Sequence, residues 1–195
     1  MWHKSGVNSR SRSRRPRPPL DQAGLQELAL RYVGKYATTR AKLRSYLQRK
    51  IEERGWEGDR SADLEGLANR FAGLGYIDDA SYALAQSRSL SGRGYGKRRL
   101  ADKLRMAGVE DVDGTAANEH ADVEAVSAAL RFAERRRLGP FATEPAERPT
   151  REKWIAAMVR AGHSFGLAKA IAALPPGEKV DLDQVLPDII RFTGA

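Results

Sequence analysis

Three places in this 195-residue chain carry residue types capable of chemistry. The run Gly92-Arg93-Gly94-Tyr95-Gly96-Lys97 has the glycine and lysine content of a loop whose backbone N–H groups cradle phosphate. A Walker A loop, however, requires glycine where Ser91 stands and Ser or Thr where Arg98 stands. A dinucleotide fingerprint counted from Gly94 and Gly96 requires glycine at Arg99. The run is therefore read as a link between two helices. Asp78-Asp79 offers paired carboxylates for acid–base or metal chemistry, yet it follows Gly75-Tyr76-Ile77 and precedes an apolar-periodic segment, where capping a helix N-terminus accounts for it. His163-Ser164 lies just past a helix end with no third group at triad spacing. The chain has no cysteine, and its three histidines, His3, His120 and His163, are far apart, so no thiol nucleophile, metal site or cofactor is expected. The protein is read as non-catalytic.

The elements that position these residues show an internal repeat. Arg40-Ala-Lys42-Leu43-Arg-Ser-Tyr-Leu47, Lys97-Arg-Arg99-Leu100-Ala-Asp-Lys-Leu104 and Arg151-Glu-Lys153-Trp154-Ile-Ala-Ala-Met158 share one pattern. Each has basic residues three and one before a large apolar residue, and a second large apolar residue four after it. The spacings are 57 and 54 residues. Gly108 and Gly162 fall where helix C-caps need glycine. Ala29-Leu30, Ala83-Leu84 and Ala129-Leu130 mark a further helix upstream of each copy, and Leu64, Leu67, Ala68, Phe71 and Leu74 keep the rhythm of one apolar helix face. β-branched residues never alternate over a sustained run.

The fold class expected is all-α: three tandem three-helix repeats, stacked because one unit alone buries too little, and so elongated. The expected boundaries are a basic disordered tail over 1–24, repeats over 25–81, 82–130 and 131–175, and a C-terminal extension over 176–195. The tail holds Lys4, Arg10, Arg12, Arg14, Arg15 and Arg17 without an acid, and supplies +6 of the formal +9. Its Ser-Arg alternation and prolines are too polar to repay ordering, and it serves either as a solubilising leader or as a phosphate-binding arm.

Beyond the tail, residues 29–50 net +7, 51–81 net −5, 82–109 net +6, 110–130 net −6 and 131–160 net +4. This alternation predicts that the first two helices of each unit are basic and the third acidic, giving a surface suited to a long charged partner. Trp154, Phe71 and Tyr82 sit on apolar faces as core residues, while Trp2, Trp56 and Tyr95 are less constrained. No signal peptide follows the basic N-terminus and no apolar run is long enough to span a membrane, so a cytoplasmic protein is expected.

Gly75-Tyr76-Ile77-Asp78-Asp79-Ala-Ser-Tyr82-Ala83, Arg88, the glycine-containing link, Lys97 to Leu104 and Gly108-Val109 resemble the RecX family of RecA regulators. Tyr36 to Leu43 is similar to that family's opening repeat and Arg151 to Ala168 to its third, although Ala161-Gly162-His163-Ser164 replaces the usual Arg-Gly-Phe-Ser. The resemblance covers roughly residues 25–175 and implies a curved array of three three-helix repeats. It also implies a non-catalytic, monomeric protein that binds the RecA filament on single-stranded DNA, directly or through RecA. Such a protein inhibits ATP hydrolysis and strand exchange in homologous recombination, DNA repair and the SOS response.

The matched positions nominate Arg40, Lys42, Arg88, Arg93, Lys97, Arg98, Arg99, Arg151 and Lys153 as contacts to RecA or DNA. Two other readings compete. A helix-turn-helix-like protein would bind duplex DNA by itself with steep salt dependence, and a small helical enzyme would lose turnover on changing one acid or histidine.

Overall fold

The computed structural model describes residues 18–178. Among them the chain forms α1 (Gln22–Val33), α2 (Arg40–Arg54), α3 (Leu64–Gly73), α4 (Asp79–Gly92), α5 (Lys97–Ala107), α6 (Asp111–Val123), α7 (Ala125–Arg136), a 3-10 turn (Gly139–Phe141), α8 (Arg148–Arg160) and α9 (Phe165–Ala173). The fold is all-helical; an isolated parallel bridge between Leu20 and Trp56 is its only extended pairing among the described residues. No helix there is long and apolar enough to cross a membrane.

Side-chain caps start five of the helices. Asp21, Thr39, Asp63, Asp78 and Ser164 accept hydrogen bonds from the backbone N–H of Gly24, Lys42, Gly66, Ser81 and Leu167, groups that the helix itself leaves unpaired. The N–H and hydroxyl of Ser81, in that order, hold the Asp78 carboxyl below its ordinary range. Gly108 ends α5 in the left-handed region at φ 65°, and the N–H of Val109 reaches back to the carbonyl of Leu104 at 3.1 Å.

Buried apolar side chains fall into three clusters. The first joins Leu25 and Ala29 of α1, Leu43 and Leu47 of α2, Leu67, Ala68 and Phe71 of α3, and the flanking Leu20 and Ile77. The second, built on Ala83, Leu90, Leu100, Leu104, Ala117 and Ala121, is drawn from α4, α5 and α6. The third gathers Val126, Ala129, Phe132, Ala133, Met158, Ala161, Leu167, Ala168 and Ile171 around α7, α8 and α9. Phe71 and Tyr82 are buried and Trp154 packs against the third cluster, as their apolar faces predict.

Some expected boundaries fall within helices. The dividing points expected at 81/82 and 130/131 fall inside α4 and α7; the clusters change over between Ile77 and α4, and at Glu124 between α6 and α7. Residues 18–24, expected in the tail, pack instead: Leu20 is 1% exposed, its N–H donates to the carbonyl of Gly55, and α1 starts at Gln22. The expected disorder of residues 1–17, and all of the C-terminal extension after Glu178, lie outside the described residues.

The charge alternation matches the prediction only in part: α6 is acidic and α7 basic as expected, whereas α1, α3 and α4 are balanced and α9 carries a single lysine. The basic helices are α2, with six cations against two acids, α5, with five against one, α8, with four against one, and α7, with three against one. α1, α3 and α4 each balance one cation against one acid, and α6 carries four acids. The blocks read along the sequence had averaged basic helices with their neutral neighbours and with acidic loops.

Candidate functional site

Lys42 of α2, one face of α5, the C-terminal end of α8 and the end of α7 line a basic track on the surface. Three depressions follow one another along it. The first, about 700 Å³, lies between Lys42 and the α5 face formed by Arg99, Lys103, Met106 and the neighbouring Arg105. The second, about 250 Å³, shares Arg99 and Asp102 with the first and adds Arg98, Val159, Arg160 and Gly162. The third, about 550 Å³, shares Arg160 and adds Tyr95, Phe132, Arg135, Arg136, Ala157 and Ala161. Eight cations line the run against one acid, Asp102, which is paired with Arg105 at 2.6 Å.

Helix periodicity explains the alignment. Arg99, Lys103 and Met106 are four and three residues apart on α5, and Ala157 and Arg160 are three apart on α8, so each set shares one face. Lys153 lies seven residues before Arg160 and extends that face by about 10 Å.

Tyr95 is the focus of the third depression. The guanidinium carbons of Arg93 and Arg99 stand 5.6 Å from its ring centroid and that of Arg135 stands 6.0 Å away. The negative face of the ring attracts each cation and orients it. Among the described residues Arg98, Arg99, Arg135, Arg136 and Arg160 form no ion pair. Crowding like charges this way raises the energy of the free protein and of nothing else, so the arrangement favours an anionic occupant.

The sequence-derived candidates divide on this geometry. Lys42, Arg98 and Arg99 line the track, Arg93 leans on Tyr95 at its edge, and Lys153 lies on the same α8 face. Lys42 is also engaged by Tyr82, donating to its hydroxyl with its nitrogen 4.5 Å from the ring centroid. Lys97 turns to α6 and pairs with Asp122 at 2.6 Å. Arg88 and Arg151 are exposed and line none of the three depressions.

Arg40 stands apart from the other candidates. Its guanidinium bonds Asp79 at 3.1 Å and Asp113 at 2.7 Å, with Glu110 at 3.8 Å, while its N–H donates to Asp79 at 3.0 Å. The hydrogen bond to Asp79 holds the guanidinium pKa above its ordinary value. Arg40 thus clamps α2 to α4 and α6 instead of facing out. Asp79, expected to cap α4 with Asp78, is instead its buried partner, with a side chain 3% exposed.

Lys103, Arg105, Arg135, Arg136 and Arg160 were not legible as site residues. The signal available was positional: Arg160 falls two turns beyond Lys153, and Arg135-Arg136 ends an apolar helix. What brings them together is the α5–α8 contact, which no spacing encodes. There the Gly96 N–H donates to the Ala161 carbonyl at 3.0 Å and the Arg98 N–H to the Gly162 carbonyl at 3.1 Å.

His163 lies behind this contact, 2% exposed, its Nε2 3.2 Å from the Gly94 carbonyl and its ring edge-on to Phe132 at 5.7 Å. Burial pushes its pKa down to about 4, against the Gly94 hydrogen bond. The ring is therefore neutral at pH 7, and Nε2 is the protonated nitrogen because it faces a carbonyl. His163 packs and caps; it does not face the track.

No family model matches the chain. Full-length comparison does find relatives. A protein named regulatory protein RecX from Myxococcus xanthus is 34% identical, with 88% of this chain and 97% of the relative covered. Proteins of the same name from Agrobacterium fabrum and Thermobifida fusca are 32% and 30% identical, covering 74% and 85% of this chain and 79% and 86% of their own lengths.

Proposed function

This chain belongs to the RecX family of regulatory proteins, and from that premise we propose that it binds the RecA recombinase filament on single-stranded DNA and restrains its ATP hydrolysis and strand exchange. The basic track across α2, α5, α8 and α7 carries this reading. Cations spaced along a track match a polyanion that runs past several helices, and each phosphate they neutralise releases bound counterions. Tyr95 adds an aromatic face among the guanidiniums, of the kind on which an unpaired base stacks.

The body proposed is three three-helix units in tandem, acting as a cytoplasmic monomer without a catalytic step. Three separate hydrophobic clusters, each drawn from three successive helices, support that division. A modular body touches neighbouring filament protomers together and gains from linked contacts.

The test is RecA's single-strand-dependent ATP hydrolysis and filament length, measured with and without this protein. Inhibition at stoichiometric concentration is expected, and Arg99→Glu/Arg160→Glu should relieve it with the helical content unchanged. No inhibition by the unaltered protein sinks the proposal.

A further inference from the structure

The α1–α2 side of the molecule carries an aromatic face that the arginine-rich depressions do not include. Tyr32 of α1 stacks on Tyr46 of α2, with ring centroids 4.2 Å apart and planes 15° from parallel. Tyr36, just past the end of α1, tilts against Tyr32 at 5.4 Å. Tyr32 and Tyr46 are partly buried against the first hydrophobic cluster, so packing accounts for them. It does not account for Tyr36, which is 50% exposed. The Tyr36 N–H donates to the Tyr32 carbonyl at 3.0 Å, which fixes the ring's attachment point in place.

Cations surround these rings. Lys35 Nζ lies 5.3 Å from the Tyr36 centroid, and Arg49 and Lys50 lie 5.9 and 5.8 Å from that of Tyr46. Glu53 pairs with Lys50 and lies 3.9 Å from Arg49, so cations stay in excess among these groups. The face is also continuous with the basic track. Tyr46, Arg49 and Lys50 follow Lys42 by four, seven and eight residues on α2, a spacing that keeps them on one side of the helix over about 12 Å. Lys42 itself lines the first depression.

An exposed ring ringed by cations offers a π-face and phosphate partners together, the two things a single nucleic-acid strand presents in alternation. A duplex keeps its base faces stacked inside and uses only the cations, as does an acidic protein surface. We infer that the α1–α2 face centred on Tyr36 is a stacking site for an unpaired base, with Lys35 and Arg49 set to meet the adjoining phosphates. The inference rests on reading the track as a nucleic-acid contact, and it makes Tyr36 a residue that selects single strands.

The test compares two probes of equal length and charge in the full chain: oligothymidylate, and the same backbone with abasic tetrahydrofuran sites in place of the bases. Affinities are read by fluorescence anisotropy. Tyr36→Ala should lower the ratio of oligothymidylate to abasic affinity on the order of tenfold, whereas Tyr36→Phe, which keeps the ring face, should hold it. An unchanged ratio in the alanine variant overturns the inference, as does an equal fall in the phenylalanine variant. If Tyr36→Ala relieves inhibition of RecA while the ratio stays unchanged, the face belongs to a protein contact and the inference is likewise overturned.

In the unaltered chain, oligothymidylate carrying 5-iodouracil should photo-cross-link to Tyr36; attachment only elsewhere overturns the site. Arg99→Glu/Arg160→Glu separates this inference from the reading beneath it. If that variant binds both probes as tightly as the unaltered chain, the track reading fails, while the Tyr36 ratio and cross-link stand or fall by themselves.

Discussion

Between the first and second hydrophobic clusters the chain is joined through side chains. Arg40 of α2 reaches Asp79 of α4 and Asp113 of α6, and the Thr39 hydroxyl donates to the Ala107 carbonyl at 2.6 Å. Between the second and third clusters it is joined through backbone. Gly96 and Gly162 let α5 and α8 approach until main-chain N–H and carbonyl groups pair directly, and Gly94 lets the chain pass close to α7, where an added Cβ would meet the Phe132 nitrogen at 2.8 Å.

A side-chain junction can adjust by rotamer changes, although here Asp79 is buried and Gly108 packs closely on the Ala41 methyl. A backbone junction fixes two helices within ångströms and tolerates no such adjustment. The track crosses both, yet its densest arginine cluster, around Tyr95, lies on the rigid one. That placement is what holding several like charges in one geometry requires.

The largest expected effect comes from breaking the backbone junction. A Cβ at Gly96 would sit 2.3 Å from both the carbonyl carbon and the oxygen of Gly162, atoms that cannot swing aside. Gly96→Val should lower unfolding stability by about 3 kcal/mol, measured by urea denaturation. Gly92→Ala, where a Cβ meets nothing within 4 Å, should leave stability within about 0.5 kcal/mol. Equal losses at the two glycines would remove the distinction between the junctions.

Gly96 and Gly162 also mark where the sequence is legible and where it is not. Helical class, the Asp78 cap and the Gly108 C-cap were legible because each is set by residues within a turn of one another. Gly96 and Gly162 were visible as a flexible link and a helix end, but their mutual contact spans 66 positions and has no local signature. The pairing of Arg40 with Asp79 and Asp113 was hidden for the same reason. A basic residue at a helix start reads as surface charge until the fold brings buried Asp79 to it. The track residues on α7 and α8 were missed because the shared surface exists only once α5 and α8 are in contact.

The next largest effect tests the side-chain junction. Arg40→Ala leaves the Asp79 carboxylate, 3% exposed, without its cation. The loss should be roughly 2–3 kcal/mol, below the value for a fully buried pair because the guanidinium is partly solvated. Lys97→Ala breaks a pair of similar length whose partners are 46% and 60% exposed, and should cost no more than about 0.5 kcal/mol. Thermal unfolding of both variants checks the contrast, and a Lys97 loss matching that of Arg40 would refute the assignment of Arg40 as the clamp.

The smallest effect is a pH dependence of the backbone junction, carried by His163. Its folded pKa of about 4 lies below the ordinary 6.5, so between those values the unfolded chain binds a proton that the folded one excludes. The stabilisation is complete above pH 6.5, declines as the pH falls through 5, and changes no further below about 4. Between pH 7 and pH 5 the loss attributable to this group should be about 2 kcal/mol. Other groups titrate in the same interval, so the informative measurement is the difference between the chain and His163→Phe. The substituted ring keeps an aromatic edge on Phe132 and cannot take up a proton. If the pH 7 to pH 5 drop is as large in the Phe variant as in the native chain, His163 does not couple protons to the α5–α8 contact. The backbone junction would then be the pH-insensitive one.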